Sequence, residues 1–134
     1  MEKTYNGSCH CGAVKFEADI DLEAGTGRCN CTYCSKMRTW GATIKPDKFR
    51  LLTSRDALTG YRFNTKQGDH WFCKTCGLRP FGEADVPELG GKVVSINVAC
   101  LDGIEPETLA ELPINYSDGL DNNWWNQPKV TSYL

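Results

Sequence analysis

The sequence predicts a mainly β fold, a compact antiparallel β-sheet domain stabilised by zinc and carrying one short helix. Thirteen glycines and six prolines are spread over 134 residues, a frequency of turns that is typical of short strands. Several segments alternate apolar and polar residues with the period of a half-buried strand. Eight cysteines, most of them in close groups, supply metal ligands that add stability to a small core. The length suits a single domain over residues 1–134.

The predicted strands follow from alternating side chains. In residues 13–18, Val14, Phe16 and Ala18 share one face, and charged residues lie between them. Similar patterns predict further strands at 39–44, 49–52, 58–63, 71–73 and 93–99. These segments are expected to build the sheet.

One helix is predicted, at residues 106–112. Pro106 lies near its first turn, where proline is tolerated, and Pro113 closes it. The tail that follows is both polar and aromatic. Trp124 and Trp125 are expected to cover an edge of the core, because aromatic side chains of this size are mostly buried.

Composition excludes several classes of protein. The net charge of −2 and the pI of about 5.7 argue against a broad electrostatic surface for nucleic acid. No apolar stretch approaches the ~18 residues of a membrane-spanning helix. The first residues lack the basic segment and apolar run of a secretory signal, so a cytoplasmic protein is expected.

Cysteine spacing carries the functional argument. Seven of the eight cysteines fall in three groups, Cys9-x-Cys11, Cys29-x-Cys31-x-x-Cys34 and Cys73-x-x-Cys76, and Cys100 stands apart. In a reducing compartment such groups indicate metal ligands rather than disulfides. Zinc accepts thiolates in a tetrahedron, and closely spaced cysteines in a tight turn can direct two of them at one ion. Gly12 and Gly77 follow two of the groups and fit turns that need a positive φ.

Ligand counting separates two kinds of site. A closed site of four thiolates is structural, whereas a site of three leaves one position open for chemistry. The preferred grouping gives Cys9, Cys11, Cys73 and Cys76 to the closed site and Cys29, Cys31 and Cys34 to the open one. Spacing also permits a zinc ribbon of Cys31 and Cys34 with Cys73 and Cys76, which leaves Cys9, Cys11 and Cys29 over.

Five segments together resemble the glutathione-dependent formaldehyde-activating enzyme family, which also includes centromere protein V. They are 7–16 (GSCHCGAVKF), 29–36 (CNCTYCSK), 72–77 (FCKTCG), 98–102 (VACLD) and 116–124 (YSDGLDNNW). The resemblance implies a compact zinc fold of the β-tent type. It also implies two zinc ions, a structural one on Cys9, Cys11, Cys73 and Cys76 and a catalytic one on Cys29, Cys31 and Cys34.

The family name implies a carbon–sulfur lyase that makes or cleaves S-hydroxymethylglutathione, with glutathione and formaldehyde as substrates. Three thiolates and one Zn²⁺ sum to −1, and such a site favours a soft fourth ligand such as a substrate sulfur. The alternatives are a lyase acting on another small adduct and a non-catalytic, zinc-stabilised binding module. The sequence departs from the family pattern at Asn30, where members often carry histidine.

A glutathione site needs a cation or donor for each of two carboxylates. The basic residues nearest the motifs are Lys36, Arg38, Lys45 and Arg79. The two histidines, His10 and His70, are interpreted as groups that pack or support ligands rather than as general bases. Cys100 lies in an apolar run and is expected to be a buried small side chain.

Overall fold

The computed structural model describes residues 1–63 and 68–134. Within these ranges the chain forms ten strands and two α-helices. The strands are Lys3–Ser8 (β1), Lys15–Ile20 (β2), Thr26–Cys29 (β3), Gly41–Ile44 (β4), Phe49–Leu51 (β5), Leu58–Tyr61 (β6), Gly68–Cys73 (β7), Phe81–Val86 (β8), Gly91–Asn97 (β9) and Ile114–Ser117 (β10). The helices are Thr32–Met37 (α1) and Pro106–Ala110 (α2).

The strands form two sheets. A three-stranded sheet has the order β1-β2-β5, and a seven-stranded sheet has the order β10-β3-β4-β9-β8-β7-β6. Every pair of neighbouring strands is antiparallel except β10 with β3, which is parallel. The prediction of a mainly β, largely antiparallel fold is therefore confirmed.

Each of the six predicted strands overlaps an observed one. The alternation at 13–18 belongs to β2, which begins two residues later than predicted. Four further strands, β1, β3, β8 and β10, were not predicted. The segments of β1 and β3 contain few apolar side chains, so alternation could not reveal them; backbone pairing to a neighbouring strand defines them instead.

The predicted helix is confirmed as α2, and α1 is a helix that the sequence analysis missed. No residue of α1 is buried, so it has no apolar stripe to signal it. Its start is fixed instead by the Cys31 sulfur, which accepts a hydrogen bond from the backbone N–H of Cys34. Neither α-helix of the described chain is long and apolar enough to cross a membrane.

The core lies between the two sheets. Phe16 on β2 and Phe81 on β8 are fully buried, and their ring centroids are 6.4 Å apart. Phe49 on β5 packs between them, with its centroid 4.6 Å from that of Phe81. Buried Val94 and Ile96 on β9 extend the same cluster. Apolar packing therefore holds the small sheet against the large one.

Candidate metal centres and the adjoining cleft

Two similar turns, one from each sheet, carry the first group of cysteines. Cys9 and Cys11 lie in the turn between β1 and β2, and Cys73 and Cys76 lie at and after the end of β7. In each turn a glycine N–H donates to the carbonyl of the first cysteine, at 3.2 Å for Gly12 to Cys9 and 2.9 Å for Gly77 to Cys73. Both glycines have positive φ, 84° and 77°, as their positions in the sequence predicted.

The four sulfurs of these turns form one compact set. They all lie within 4.8 Å of one another, with Sγ–Sγ distances of 3.7 Å for Cys9 to Cys11 and 3.5 Å for Cys11 to Cys73. Sulfurs bound at ~2.3 Å to a tetrahedral zinc lie about 3.8 Å apart. The spacing therefore fits a zinc ion. We call this set the four-cysteine cluster.

Backbone N–H groups favour the charged form of two of these thiols, those of Cys73 and Cys76. The N–H of Cys76 donates to Cys73 Sγ at 3.4 Å and lowers the pKa of Cys73. Hydrogen bonds from the backbone N–H groups of Cys11 and Leu78 lower the pKa of Cys76 to about 6. Because zinc binds thiolates, these donors prepare the sulfurs to act as ligands.

The second group of cysteines lies on one short segment. Cys29 ends β3, Cys31 caps α1 and Cys34 lies within that helix. Their three sulfurs lie within 4.8 Å of one another, and we call them the three-cysteine cluster. The zinc ribbon that would join Cys31 and Cys34 to Cys73 and Cys76 is not the grouping found in the described chain.

The three-cysteine cluster is also lined by N–H donors. The N–H of Cys31 donates to Cys29 Sγ and the N–H of Cys34 donates to Cys31 Sγ, both at 3.3 Å. Hydrogen bonds from the thiols of Cys29 and Cys34, with that N–H of Cys34, lower the pKa of Cys31. A set of three closely held sulfurs with one thiolate already favoured fits a zinc ion that keeps one coordination position for another ligand.

A wide cleft opens beside the three-cysteine cluster. Its volume is about 800 Å³, and Cys29 and Cys34 are part of its wall together with Thr39, His70 and Arg79. Among the described residues, the four cysteines of the other cluster do not line this cleft. Of the two clusters in the described chain, it is therefore the three-cysteine cluster whose sulfurs are open to a ligand in the cleft.

Asn30, between two cysteines of this cluster, holds the tail against it. The side chain is buried; its Nδ2 donates to Asp118 Oδ1 and its Oδ1 accepts from the N–H of Leu120, both at 3.0 Å. The loop that follows β10 is thereby tied to the cysteine segment. In the sequence, Asn30 stands out only as a departure from the family pattern. Its partners lie 88 and 90 residues away, so no local signal predicts this role.

The two tryptophans of this tail differ from the expectation. Trp125 is 66% exposed and does not cover the core. Trp124 is 43% exposed, and its ring lies over Gly119 next to the cysteine segment. A Cβ at Gly119 would be 2.5 Å from the Trp124 ring and 2.8 Å from Cys29 Sγ, so glycine allows this close approach. Trp124 therefore packs on Gly119, a residue that lies beside Cys29, rather than on a core edge.

A group of partly buried side chains lies at and behind the wall of the cleft. Arg79, which is only 7% exposed, donates from Nε to His70 Nδ1 at 3.0 Å. Burial, with the charge of Arg79, lowers the pKa of His70 to about 4, so the imidazole is neutral at pH 7 and can accept this bond. The ring of Tyr33 packs 4.0 Å from that of His70, and its buried hydroxyl has no partner among the described residues.

Of the other basic candidates from the sequence, Lys45 also lines the cleft, whereas Lys36 and Arg38 lie outside its lining. Lys36, Arg38 and Lys45 are exposed; Arg38 Nη1 donates to the carbonyl of Tyr133 at 2.9 Å, and Lys45 donates to that of Leu89. His70 packs against Tyr33, as expected, whereas His10 is exposed and, of the two expected roles, only support of the neighbouring ligands Cys9 and Cys11 is left to it. Cys100 is buried as predicted, and burial raises its pKa to about 12.

Comparisons with known proteins agree with these features. A family model described as glutathione-dependent formaldehyde-activating enzyme matches residues 4–115, which include both cysteine clusters. A crystal structure of a Rhodobacter sphaeroides protein from structural genomics is 33% identical in sequence and superposes with a TM-score of 0.69. The match covers 82% of this chain and 99% of that one.

Proposed function

Because the chain belongs to the glutathione-dependent formaldehyde-activating enzyme family, we propose that it is a zinc-dependent carbon–sulfur lyase. Its reaction joins a thiol to an aldehyde or cleaves the adduct, and glutathione with formaldehyde is the leading pair. The proposed reaction needs reduced cysteine ligands and a reduced thiol substrate, and the eight cysteines form no disulfide in the structure. Because a reducing compartment keeps thiols in this state, we place the protein in the cytoplasm.

One observation carries the proposal. Two cysteine clusters of different ligand number are present, and the one with three sulfurs is the one that borders a cleft of about 800 Å³. A cleft of this size accommodates a tripeptide-sized thiol beside the cluster. The four-cysteine cluster joins turns of both sheets and has the complete ligand set of a structural site.

The two clusters would hold one zinc ion each. Cys9, Cys11, Cys73 and Cys76 would hold the structural ion, and Cys29, Cys31 and Cys34 the catalytic one. Zinc in the three-cysteine cluster would supply a Lewis acid that favours the thiolate form of a substrate sulfur. The N–H donors of Cys31 and Cys34 hold the cluster sulfurs in place while a ligand enters from the cleft.

The bond changes are simple. The substrate sulfur adds to the carbonyl carbon of formaldehyde, a carbon–sulfur bond forms, and the carbon–oxygen double bond becomes a single bond. The proton lost by the thiol ends on the new hydroxyl oxygen, so the adduct is S-hydroxymethylglutathione and nothing is oxidised or reduced. The reverse reaction cleaves the same carbon–sulfur bond and returns the proton to sulfur. The chain contributes by holding the two reactants together in the cleft.

The test measures the exchange of ¹³C-labelled formaldehyde between its free and thiol-bound forms by magnetisation-transfer NMR. With glutathione present, the protein should raise the exchange rate above the protein-free rate. Cys34→Ala should abolish this increase in exchange rate. Cys100→Ala should keep it, because Cys100 lies outside both clusters.

A second readout does not depend on turnover. X-ray absorption at the zinc edge should show the mean sulfur coordination rise when glutathione is added to the wild type, and no rise for Cys34→Ala. If the protein binds two zinc ions but changes neither the exchange rate of formaldehyde nor the sulfur coordination of zinc, the proposal that it is an enzyme is contradicted. That result is the one expected of the alternative, a non-catalytic, zinc-stabilised binding module.

A further inference from the structure

The side chain of Arg79 lies in an unusual place for an arginine. It is 7% exposed, yet it lines the same cleft as Cys29 and Cys34. Space for its guanidinium is made on β8, because a Cβ at Gly82 would collide with Arg79 Nη2. A long, flexible, charged side chain has thus been fixed at the wall of the cleft by its neighbours.

Arg79 has no carboxylate partner among the described residues. The nearby cleft carboxylates are engaged elsewhere: Asp69 pairs with Arg62, and Glu83 accepts from Arg55 and from the Trp71 indole. A buried charge without a partner is costly, so such a group normally meets an anion in the functional state. The positive charge of Arg79 is therefore available to an anionic ligand that binds in the cleft.

The free donors of Arg79 are the two suited to a carboxylate. Nε is used by His70, whereas Nη1 and Nη2 have no hydrogen-bond partner in the described chain and are not sealed from the cleft. These terminal nitrogens form a planar pair that matches two carboxylate oxygens. The bond to His70 fixes the plane of the guanidinium before any ligand arrives.

Other cations of the cleft are committed to other contacts. Lys48 pairs with Glu2 at 3.1 Å, and Lys45 donates to a backbone carbonyl. Arg28 lies over the Trp40 ring, with its Cζ 5.3 Å from the ring centroid. Of the cations that line the cleft, Arg79 combines deep burial with unused donors.

We propose that Arg79, oriented by His70, binds a carboxylate of the thiol substrate and makes the cleft selective for carboxylate-bearing thiols. The inference rests on the proposed function, because it takes the anion to be part of the thiol that meets the three-cysteine cluster. Glutathione meets the requirement, and a neutral thiol does not. Arg79 is then a specificity-determining residue and His70 a positioning residue.

The test compares two small thiols, 3-mercaptopropionate and 2-mercaptoethanol, of which only the first carries a carboxylate. Binding is followed by titration calorimetry on the zinc-loaded protein, and zinc content is measured in parallel. On the wild type, 3-mercaptopropionate should bind about 10-fold or more tightly than 2-mercaptoethanol, the effect of one charge-assisted contact. Equal affinities would overturn the proposal without any mutation.

Variants locate the effect. Arg79→Gln should weaken 3-mercaptopropionate and glutathione about 10- to 100-fold and change 2-mercaptoethanol less than about 3-fold. Arg79→Lys keeps the charge and loses the planar pair of nitrogens. It should therefore show a preference for 3-mercaptopropionate over 2-mercaptoethanol that lies between those of Arg79→Gln and the wild type. Arg38→Gln is the matched control, because Arg38 is an exposed arginine that donates to a backbone carbonyl. It should change the affinity for neither thiol. His70→Leu should reduce the ratio of the two affinities, a readout that general loosening would not move.

The opposing explanation is that Arg79 only balances the negative charge of the cysteine cluster. In that case Arg79→Gln would lower zinc content and weaken both thiols equally, which would overturn the proposal. If the proposed function were wrong but the proposal about Arg79 were right, the results would be different. Selectivity for 3-mercaptopropionate would then persist in the binding experiment, while formaldehyde exchange would not be accelerated with any thiol.

Discussion

Cys73→Ser is expected to destabilise the protein far more than the loss of one buried thiol. Cys73 is 1% exposed and ends β7 in the large sheet, and its sulfur lies 3.5 Å from that of Cys11 in the turn of the small sheet. The four-cysteine cluster is thus a link between the sheets, in addition to the packing of Phe16, Phe49 and Phe81. Serine removes one ligand and leaves the backbone turn in place.

The magnitude follows from the binding free energy of a structural zinc, on the order of 10 kcal/mol. Three remaining thiolates retain part of it, so we expect a loss of about 5 kcal/mol, comparable with the lower range of total domain stability. For a domain of this length that corresponds to a fall in Tm of about 15–20 °C. Cys100→Ala is the control: Cys100 is also a buried cysteine and lies outside both clusters, so its replacement should cost about 1 kcal/mol, or about 3–4 °C.

The assay is thermal unfolding followed by circular dichroism, with and without a zinc chelator of high affinity. The chelator should lower the Tm of the wild type and of Cys100→Ala by similar amounts, and it should have a much smaller effect on Cys73→Ser. The reasoning would be refuted if Cys73→Ser and Cys100→Ala unfolded within a few degrees of each other. In that case the apolar core alone would hold the two sheets together.

Three further predictions concern the same clusters. Cys31→Ser should keep most of the thermal stability and lose the acceleration of formaldehyde exchange; a fall in Tm as large as that of Cys73→Ser would contradict it. Elemental analysis of protein purified without added metal should give about two zinc ions per chain, and a ratio of one that persists after zinc addition would exclude two sites. Asn30→Ala should cost about 2 kcal/mol in a urea titration, because it leaves Asp118 without its partner, and an unchanged midpoint would contradict that tie.

The strands that sequence analysis predicted are those with one buried face. The alternation in β2 and β9 follows directly from burial on a single side, as Phe16 and Ile96 illustrate. In contrast, β3 contains the residues TGRC, and its place is set by hydrogen bonds to β10, some 90 residues later in the chain. Pairing across such a separation leaves no local pattern in the sequence. The parallel β10–β3 pair therefore could not be predicted.

In the candidate site, too, local features could be predicted from the sequence and contacts between distant residues could not. Cysteine groups and the glycines after them are local features, because a metal turn is built from neighbouring residues. Arg79 was named from the sequence as one of four nearby cations, but its burial depends on the space at Gly82 and on the acceptor at His70. Those contacts join separate strands, and sequence alone gave no reason to prefer Arg79 over exposed Lys36 or Arg38.

The different placement of the clusters supports the two roles proposed for them, stability for one and chemistry for the other. The four-cysteine cluster draws ligands from turns some 60 residues apart, at the ends of strands in different sheets, so any change in its coordination strains the junction between them. The three-cysteine cluster draws all its ligands from residues 29–34, a single turn and the start of α1. A further ligand can join that cluster or leave it without moving one sheet against the other. Because catalysis requires repeated ligand exchange, the local cluster beside the cleft is the one suited to it.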